Sequence, residues 1–439
     1  MTVHTFRPLL RLEGTATVPG DKSLSHRALL LSALADGPTD VTGLGTGGDV
    51  RSTAAALRAL GVDIQFLPHA SGGPVTRVSG RSPRLWHTPT EPLDCGNSGT
   101  TLRLLTGVLA GAGLDQGGLR AVLTGDESLR SRPMGRVARP LREMGARIDL
   151  GPGDRAPLTV IATELTGRHH DLPVASAQVK TALLLAGLQA DGETVVREPY
   201  LSRDHTERML RAMGAPIESR GTIHRIRRAE LSPLGRYAVA GDPSSAAFLI
   251  VAALLHPRGD LRVNGVCLNP GRVGFLRVLE RMGARVEVDP HSEVGGEPVG
   301  SLWARTSALH ATDLDPDEVP GTIDELPILA LAAAGAEGVS CFRGLAELRV
   351  KESDRLARTA HLLQSLGVQV EEGAEELTIH GLGSAALLQA TAFDAGLDHR
   401  MAMTAAVAGW VGAERVDVTG WSAVATSFPG FAELGESLS

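Results

Sequence analysis

Apolar and polar positions along this chain repeat one short pattern five times. Each copy has leucine or methionine at helical spacing, then a glycine, then the apolar residues that begin a strand. A glycine just beyond the last helical turn permits the left-handed conformation that ends a helix. The pattern therefore predicts a helix followed at once by a strand. The five glycines are Gly61, Gly145, Gly214, Gly283 and Gly367.

The spacing of these copies predicts the domain organisation. Successive glycines are 84, 69, 69 and 84 residues apart, which is too long for a solenoid repeat. A sixth helix near residues 428–434 ends the chain, so a strand at about residues 6–18 is expected to complete the sixth unit. The 439 residues exceed what one core usually supports. The expected fold is α/β (α+β), with two domains of three repeated helix-and-strand units each.

Closure by an N-terminal strand would make one domain discontinuous. The expected domains are residues 1–20 with 241–439, and an inserted domain of residues 21–240. Turn residues mark both crossovers, Pro19-Gly20 at the first and Gly241-Asp242-Pro243 at the second. An active site is expected in the interdomain cleft, because ligand sites favour such clefts.

Four other segments are assigned from their composition. The most apolar stretches, residues 246–255 and 326–334, are too short to span a bilayer and are interpreted as buried helices. Segments 68–90 and 290–300 are rich in Pro, Gly, Ser and His, which predicts surface loops.

Charge and cysteine content narrow the functional class. The formal net charge of −7 argues against a broad basic face for nucleic acid, although it allows a local basic cleft. Three cysteines without CxxC spacing disfavour a disulfide framework and a thiolate metal site. The sequence therefore predicts a cytoplasmic enzyme with no nucleic-acid partner and no membrane association.

Basic and hydroxyl side chains gather where apolar helices begin. In residues 20–31, a glycine turn delivers a lysine, two serines and an arginine to the first helical turn, where unpaired N–H groups favour an anion. Helix capping alone would explain one such segment. The design recurs at residues 97–103, 176–181 and 351–355. Four segments of one design predict a single site for an anionic substrate.

Taken together and in order, these motifs resemble the 5-enolpyruvylshikimate-3-phosphate (EPSP) synthase family of enolpyruvyl transferases. The resemblance runs nearly end to end, and it implies a two-domain inside-out α/β barrel. No Walker motif, dinucleotide fingerprint or His/Glu metal pattern is present, so neither a metal nor an organic cofactor is expected. The motifs are Lys22-Ser23 with Arg27, Asn97-x-Gly99-Thr100-x-x-Arg103, Arg132-Pro133, Ser176-x-Gln178, Lys351-Glu352-x-Asp354-Arg355 and Asp398-His399-Arg400.

The resemblance implies a reaction with two anionic substrates. The family transfers the enolpyruvyl group of phosphoenolpyruvate to the 5-hydroxyl of shikimate 3-phosphate and releases phosphate, through a tetrahedral intermediate, on the shikimate pathway to chorismate and aromatic amino acids. Each substrate carries a phosphate and a carboxylate, which arginine forks bind at two points. A monomer is expected.

The resemblance also implies two sets of binding residues. The shikimate 3-phosphate set is Lys22, Ser23, Arg27, Ser176, Ala177, Gln178, Arg203, Asp324 and Lys351. The phosphoenolpyruvate set is Lys22, Gly99, Arg103, Arg132, Gln178, Arg355 and Arg400.

Two carboxylates and a lysine match the family's catalytic positions. Asp324 and Glu352, with Lys22, are expected to move the protons, and which carboxylate gives or takes each proton is left open. Glu325 is a rival on sequence alone, and it is interpreted as a solvated carboxylate at a helix start. His399 suits a proton shuttle or a structural hydrogen bond equally.

Two departures from the family pattern and two signals of inhibitor tolerance or sensitivity bear on binding and inhibition. Thr426 stands near the C-terminus where better-known members have a lysine, and Glu347 replaces an asparagine that some members carry. The segments 176–180 and 203–207 resemble the branch associated with tolerance to glyphosate. Gly99 indicates the opposite, because tolerant members often carry a methyl-bearing residue there. Glyphosate is therefore a candidate inhibitor.

Two rival functions can be weighed against the same residues. The sister family, which transfers enolpyruvate to UDP-N-acetylglucosamine, is expected to show Lys-Asn at the first motif, whereas Ser23 follows Lys22 here. That family usually has a cysteine in a glycine-rich loop, and Cys95 instead precedes the turn at Asn97. An anion-binding or RNA-end-processing protein would explain basic helix starts but not Asp324 beside Glu352.

Overall fold

The computed structural model describes residues 2–68, 74–412 and 414–439, and these form two compact units. The first unit comprises Met1–Pro19, Gly241–Ser292 and Pro298–Ser439. The second unit comprises Gly20–Ala240 with Glu293–Glu297.

Seven helices and twelve strands are assigned to the second unit among the described residues. The helices are α1 (Lys22–Leu34), α2 (Gly48–Ala59), α3 (Gly99–Leu109), α4 (Glu127–Ser131), α5 (Gly135–Glu143), α6 (Ala177–Gly187) and α7 (His205–Ala212). Strands β1 (His4–Phe6) and β2 (Leu12–Thr17) belong to the first unit. The strands of the second unit are β3 (Gly37–Thr42), β4 (Asp63–Leu67), β5 (Val75–Gly80), β6 (Leu93–Asp94), β7 (Arg120–Thr124), β8 (Arg147–Gly151), β9 (Arg155–Ile161), β10 (His169–Asp171), β11 (Glu193–Arg197), β12 (Glu218–Arg220), β13 (Ile223–Arg227) and β14 (Arg236–Ala238).

The first unit continues the chain from its second crossover. Its helices are α8 (Pro243–Leu255), α9 (Gly274–Arg281), α10 (Leu326–Gly335), α11 (Arg355–Ser365), α12 (His399–Val411) and α13 (Phe431–Ser437). Its further strands are β15 (Gly259–Cys267), β16 (Arg285–Val294), β17 (Glu297–Arg305), β18 (Glu337–Arg343), β19 (Gln369–Glu372), β20 (Glu376–Leu382), β21 (Thr391–Asp394) and β22 (Val416–Thr419).

The strands form six small sheets, three for each unit. The orders are β14-β3-β5-β4, β6-β7-β9-β8 and β10-β11-β13-β12 in the second unit, and β16-β17-β15-β2, β18-β20-β19 and β1-β22-β21 in the first. The predicted fold class of repeated helix-and-strand units is confirmed. The sheets are separate and open, so the strands of the described ranges make no closed barrel.

All five predicted helix-to-strand glycines are confirmed. The glycines have φ angles of 89°, 102°, 82°, 81° and 86° in chain order, a left-handed region that costs other residues about 1–2 kcal/mol. The helices that precede them are α2, α5, α7, α9 and α11, and each strand that follows lies at the edge of its sheet.

Nearly continuous apolar sequence makes one helix of each repeat a core helix. In the first unit, α8, α10 and α12 pack against one another and bury almost every residue. In the second unit, α3 packs against α6, and α1 is buried from Leu24 to Leu34. These include the two stretches predicted as buried helices. Burial on all sides leaves only the helix ends to carry polar chemistry.

The N-terminal segment differs from the single strand expected at about residues 6–18. It forms two strands, because Pro8 lacks the N–H that a continuous ladder requires. β1 pairs antiparallel with β22, whereas β2 pairs parallel with β15 in a different sheet. The sixth sheet is therefore completed by His4–Phe6 alone.

Both predicted surface loops contain strands, so these two predictions were wrong. β5 pairs with both β3 and β4. Residues 290–300 contain the end of β16 and the start of β17. Composition misled the prediction because pairing with neighbouring strands outweighs the glycine and serine content of a short segment. Residues 69–73 lie outside the described residues.

None of the helices in the described ranges has the length and apolar character that a bilayer-spanning helix requires.

We expect Gly214→Ala to lower the free energy of unfolding by about 1–2 kcal/mol. A Cβ at Gly214 would meet only the Ser232 hydroxyl, at 4.0 Å, so the cost comes from its φ of 82° and not from a clash. The midpoint of urea unfolding followed by circular dichroism measures the change.

Gly48→Ala is the matched control. Gly48 begins α2, and a Cβ there would have no heavy atom within 4 Å. We expect the control to unfold at the wild-type urea concentration or slightly above it. Equal losses in the two variants would contradict the left-handed cap.

Candidate active site

The core helices of the second unit begin at the predicted site residues. α1 starts with Lys22 and Ser23, α3 starts with Gly99, and α6 starts with Ala177 and Gln178. The residue before each helix caps it. These caps are Asp21, Ser98 and Ser176, whose side chains accept hydrogen bonds from Leu24 N, Thr101 N and Val179 N. Each start therefore presents the positive end of a helix dipole beside polar side chains.

Lys22 is held by an acidic residue that sequence analysis missed. Its Nζ lies 2.5 Å from Oδ2 of Asp49, in the first turn of α2. Asp49 carries no motif of its own, so only the packing of α1 against α2 reveals the pair. The ion pair restricts the lysine that the sequence assigns to both substrates.

Arg27 is buried and engaged on all three nitrogens. Nε donates to Thr206 Oγ1 at 2.7 Å, Nη2 to Thr181 Oγ1 at 3.0 Å, and Nη1 to the Ser23 carbonyl at 3.0 Å. The pKa of Arg27 is lowered to about 10, chiefly by burial; the nearby Arg203 cation acts in the same direction, and Glu207 and Asp21 oppose it. Arg27 remains charged at neutral pH, so Arg27 and Arg203 together attract an anion.

Two further arginines meet at the start of α3. A Cβ atom placed on Gly99 would lie 3.0 Å from Arg103 Nη1 and 3.3 Å from Arg132 Nη1. Arg103 Nη1 donates to Gln178 Oε1 at 2.5 Å, and Arg132 Nη2 donates to Asn97 Oδ1 at 2.8 Å. The structure thus brings together Gly99, Arg103, Arg132 and Gln178 as one cationic group.

Arg355 is the centre of the polar groups in the first unit. It is only 1% exposed, and its Nε donates to Asp398 Oδ2 at 2.8 Å. Its Nη2 donates to Glu352 Oε2 at 2.5 Å, and its Nη1 lies 3.6 Å from Asp324 Oδ1. Arg400 also reaches Asp324, donating from Nη1 to the carbonyl at 2.9 Å. Both predicted catalytic carboxylates therefore lie against one guanidinium.

Their mutual attraction keeps Arg355 and Asp398 ionised. Burial alone would lower the pKa of Arg355, but Asp398, Glu352 and Asp324 outweigh it and raise the pKa above its usual value. Burial would raise the pKa of Asp398, but the Arg355 cation outweighs it, and the pKa falls below its usual value. Asp398 also caps α12 by accepting from Arg400 N at 3.0 Å.

Lys351 follows a short 3-10 helix, Ala346–Val350, and is partly exposed beside Glu352. Glu347, the departure from the family pattern, lies in the same 3-10 helix. Thr426, the other departure, uses its hydroxyl locally by donating to the Ala423 carbonyl at 2.7 Å.

The interpretation of Glu325 as a solvated carboxylate is wrong. Glu325 is buried, and its Oε1 accepts a hydrogen bond from Ser244 Oγ at the start of α8. Arg272 Nη2 donates to the same hydroxyl at 2.9 Å. Sequence analysis missed Ser244 as a partner because it precedes Glu325 by about 80 residues and lies on another helix. His399 is also buried, in the first turn of α12.

Comparisons with known proteins agree with this geometry. A family model described as EPSP synthase (3-phosphoshikimate 1-carboxyvinyltransferase) matches residues 7–434. A 3-phosphoshikimate 1-carboxyvinyltransferase from Roseiflexus castenholzii is 48% identical over 98% of this chain and 98% of its own length. One from Citrifermentans bemidjiense is 45% identical over 100% and 99%.

The chain belongs to the EPSP synthase family. A solved EPSP synthase from Acinetobacter baumannii has a TM-score of 0.87 and 39% identity, covering 99% of this chain and 98% of that one. The protein is therefore a transferase that moves the enolpyruvyl group of phosphoenolpyruvate to shikimate 3-phosphate on the shikimate pathway. The EPSP synthase resemblance seen in the sequence is confirmed. The comparisons do not support the two rival functions, transfer to UDP-N-acetylglucosamine and anion binding or RNA-end processing.

We expect Asp398→Asn to destabilise the protein by about 3–5 kcal/mol, because it leaves a buried guanidinium short of one negative charge. The folded pKa of Asp398 is lowered, so its contribution is complete above the unfolded pKa of about 3.9 and is lost as pH falls through the folded value. The stability difference from wild type should be constant near neutral pH and should shrink below about pH 4.

Glu287→Gln provides the control for an exposed ion pair. Glu287 Oε1 lies 2.8 Å from Arg305 Nη2, with both side chains largely exposed, so we expect a loss below about 1 kcal/mol. Urea unfolding over a pH series measures both variants. A loss for Asp398→Asn no larger than that of the control would contradict the assignment of Asp398 as the principal buried partner.

Proposed function

We propose that Asp324 and Glu352 move the protons of enolpyruvyl transfer, with Lys22 as the third catalytic group. The observation that carries the proposal is the contact of both carboxylates with Arg355. A shared guanidinium holds the two carboxylates on one centre and favours their charged forms. A charged carboxylate can accept a proton in one step and give it up in the next.

The proposed chemistry is an addition followed by an elimination. A carboxylate takes the proton of the 5-hydroxyl of shikimate 3-phosphate as its oxygen bonds to C2 of phosphoenolpyruvate, while C3 takes up a proton from a second catalytic group and becomes a methyl group. In the second step the bond from C2 to the phosphate oxygen breaks, the methyl group returns its proton to that second group, and the proton taken from the hydroxyl passes to the leaving phosphate. The catalytic groups end as they began, and the products are phosphate and an enol ether in which the enolpyruvyl group is joined to the oxygen of the acceptor hydroxyl.

The cations of the second unit suit the anionic groups of both substrates. We assign shikimate 3-phosphate to the starts of α1 and α6, where Arg27 and Arg203 attract an anion. This set comprises Lys22, Ser23, Arg27, Ser176, Ala177, Gln178 and Arg203, with Asp324 and Lys351 from the first unit. An anion that contacts both neighbouring cations interacts with them more favourably than water does with either cation.

Phosphoenolpyruvate is assigned to the arginines that meet at Gly99. Arg103 and Arg132 both point at this residue, which offers backbone N–H groups and no side chain. Lys22, Gln178, Arg355 and Arg400 complete the set. A monomeric state, a cytoplasmic location and inhibition by glyphosate stay predictions.

Phosphate release from phosphoenolpyruvate tests the acceptor and the two carboxylates. We expect release with shikimate 3-phosphate and none with UDP-N-acetylglucosamine. Asp324→Asn and Glu352→Gln should each lower kcat by about 10²–10⁴-fold, the usual contribution of general acid–base groups, with smaller changes in KM.

Asp317→Asn is the control for charge removal near Asp324. Asp317 is exposed and precedes Asp324 by seven residues in the same unit, so we expect wild-type kinetics. Wild-type kcat in both Asp324→Asn and Glu352→Gln would refute the proposed proton transfers.

Gly99→Ala should raise the inhibition constant of glyphosate more than the KM of phosphoenolpyruvate. The new methyl group would lie 3.0–3.3 Å from the guanidinium nitrogens of Arg103 and Arg132, so it narrows the space for an inhibitor longer than the substrate. Steady-state kinetics with varied phosphoenolpyruvate and glyphosate gives both constants, and Gly48→Ala is the matched control. Parallel increases in the two constants would count against the assignment of Gly99.

A further inference from the structure

A buried group of charged residues in the second unit has no part in the chemistry above. Lys180 Nζ lies 2.7 Å from Glu198 Oε1 and 2.8 Å from Glu207 Oε1. His224 lies between the same glutamates, with Nε2 3.2 Å from Glu198 Oε1 and Nδ1 3.4 Å from Glu207 Oε1. We call these four residues the Lys180 cluster. Their side chains are at most 2% exposed, so they do not touch a substrate from solvent.

The Lys180 cluster joins four elements, one of which, α6, begins with residues of the proposed shikimate 3-phosphate site. Lys180 lies on α6 two residues after Gln178, and Glu207 lies in the first turn of α7. Glu198 directly follows β11, and His224 lies on β13. Buried ion pairs add little net stability, because desolvation offsets the attraction, but breaking one is costly. The geometry of such a cluster is consequently fixed.

Three contacts tie this fixed geometry to Ser202, the residue before Arg203. Glu198 Oε2 accepts from Ser202 Oγ at 2.5 Å, and Glu198 Oε1 accepts from Ser202 N at 3.2 Å. Lys180 Nζ donates to the Ser202 carbonyl at 3.4 Å. The cluster thus holds the N–H, the carbonyl and the side chain of one loop residue.

Arg203 needs such support because Arg27 repels it. The Arg203 cation lowers the pKa of Arg27, although burial is the larger cause. Arg27 is held by Thr181 and Thr206, the neighbours of Lys180 and Glu207 along the chain. The same two helices therefore fix one cation through their threonines, while the Lys180 cluster holds the backbone next to the other.

We propose that Lys180 and Glu198 are positioning residues for shikimate 3-phosphate, acting through Ser202 to hold Arg203 beside Arg27. The inference rests on the proposed contact of Arg203 with that substrate. A backbone fixed on both sides of Ser202 keeps the two arginines at a set separation before the substrate arrives, which reduces the ordering cost of binding.

Ser202→Ala is the test variant, because it removes one contact to Glu198 and leaves the buried ion pair intact. We expect the KM for shikimate 3-phosphate to rise about tenfold, as for loss of a hydrogen bond to a charged group, with kcat and the KM for phosphoenolpyruvate unchanged. Ser202→Thr, which keeps the hydroxyl, should restore the wild-type KM.

Ser219→Ala is the matched control for a merely structural effect. Ser219 Oγ lies 3.0 Å from His224 Nδ1, so the control also removes a serine hydroxyl, one that contacts His224 of the Lys180 cluster. We expect its KM for shikimate 3-phosphate to equal that of wild type. An equal rise in the two variants would overturn the inference.

Arg203→Ala separates this inference from the proposal on which it rests. In that background we expect Ser202→Ala to have no further effect on the KM for shikimate 3-phosphate, because the two act through one contact. If Arg203→Ala alone leaves this KM unchanged, the proposed substrate contact fails and the inference with it. If Arg203→Ala raises the KM but Ser202→Ala adds its full effect in both backgrounds, only the positioning role is overturned.

Discussion

The site of the first unit depends on one buried guanidinium. Arg355 contacts Asp324, Glu352 and Asp398 at once, and these carboxylates come from three separate segments of the chain. Asp398 is itself fully buried and caps α12 by accepting from Arg400 N. The contact of Arg355 with Asp398 therefore also supports the start of that helix, where Arg400 lies. Removal of the guanidinium would leave three like charges together, which no burial of apolar surface could offset locally.

The second unit also buries a guanidinium, that of Arg27, but its partners are neutral hydroxyl and carbonyl groups at a helix start and not carboxylates. Its core helices are buried over most of their length, so their capped N-termini are where polar groups can collect at the least cost to the core. Arg27 is buried at such a start only because two threonine hydroxyls and a carbonyl satisfy its nitrogens. Repetition of the helix-and-strand unit thus supplies several helix starts, and the anionic substrates explain why cations occupy them.

Local signals made much of the fold predictable, and contacts between distant segments limited the rest. Gly61 and the four equivalent glycines could be predicted because a left-handed cap is a property of a few neighbouring residues. The division between β1 and β2 could not, since it depends on which sheets the two strands join. Asp49 and the burial of Glu325 were missed for the same reason, because their partners, Lys22 and Ser244, lie on other helices.

Exposure of the partner groups separates the two buried cations by role. Arg355 is buried, but Asp324 and Glu352 are 16% and 21% exposed, so they can meet a substrate and exchange protons. Lys180 is equally buried, yet its glutamates are at most 2% exposed and the pKa of Glu198 falls to about 2, since contacts with His224 and Lys180 outweigh its burial. A carboxylate that stays ionised and dry cannot transfer protons to a substrate, but it can hold a loop. The same kind of ion pair is therefore suited to the proposed proton transfers at one place and to the proposed positioning role at the other.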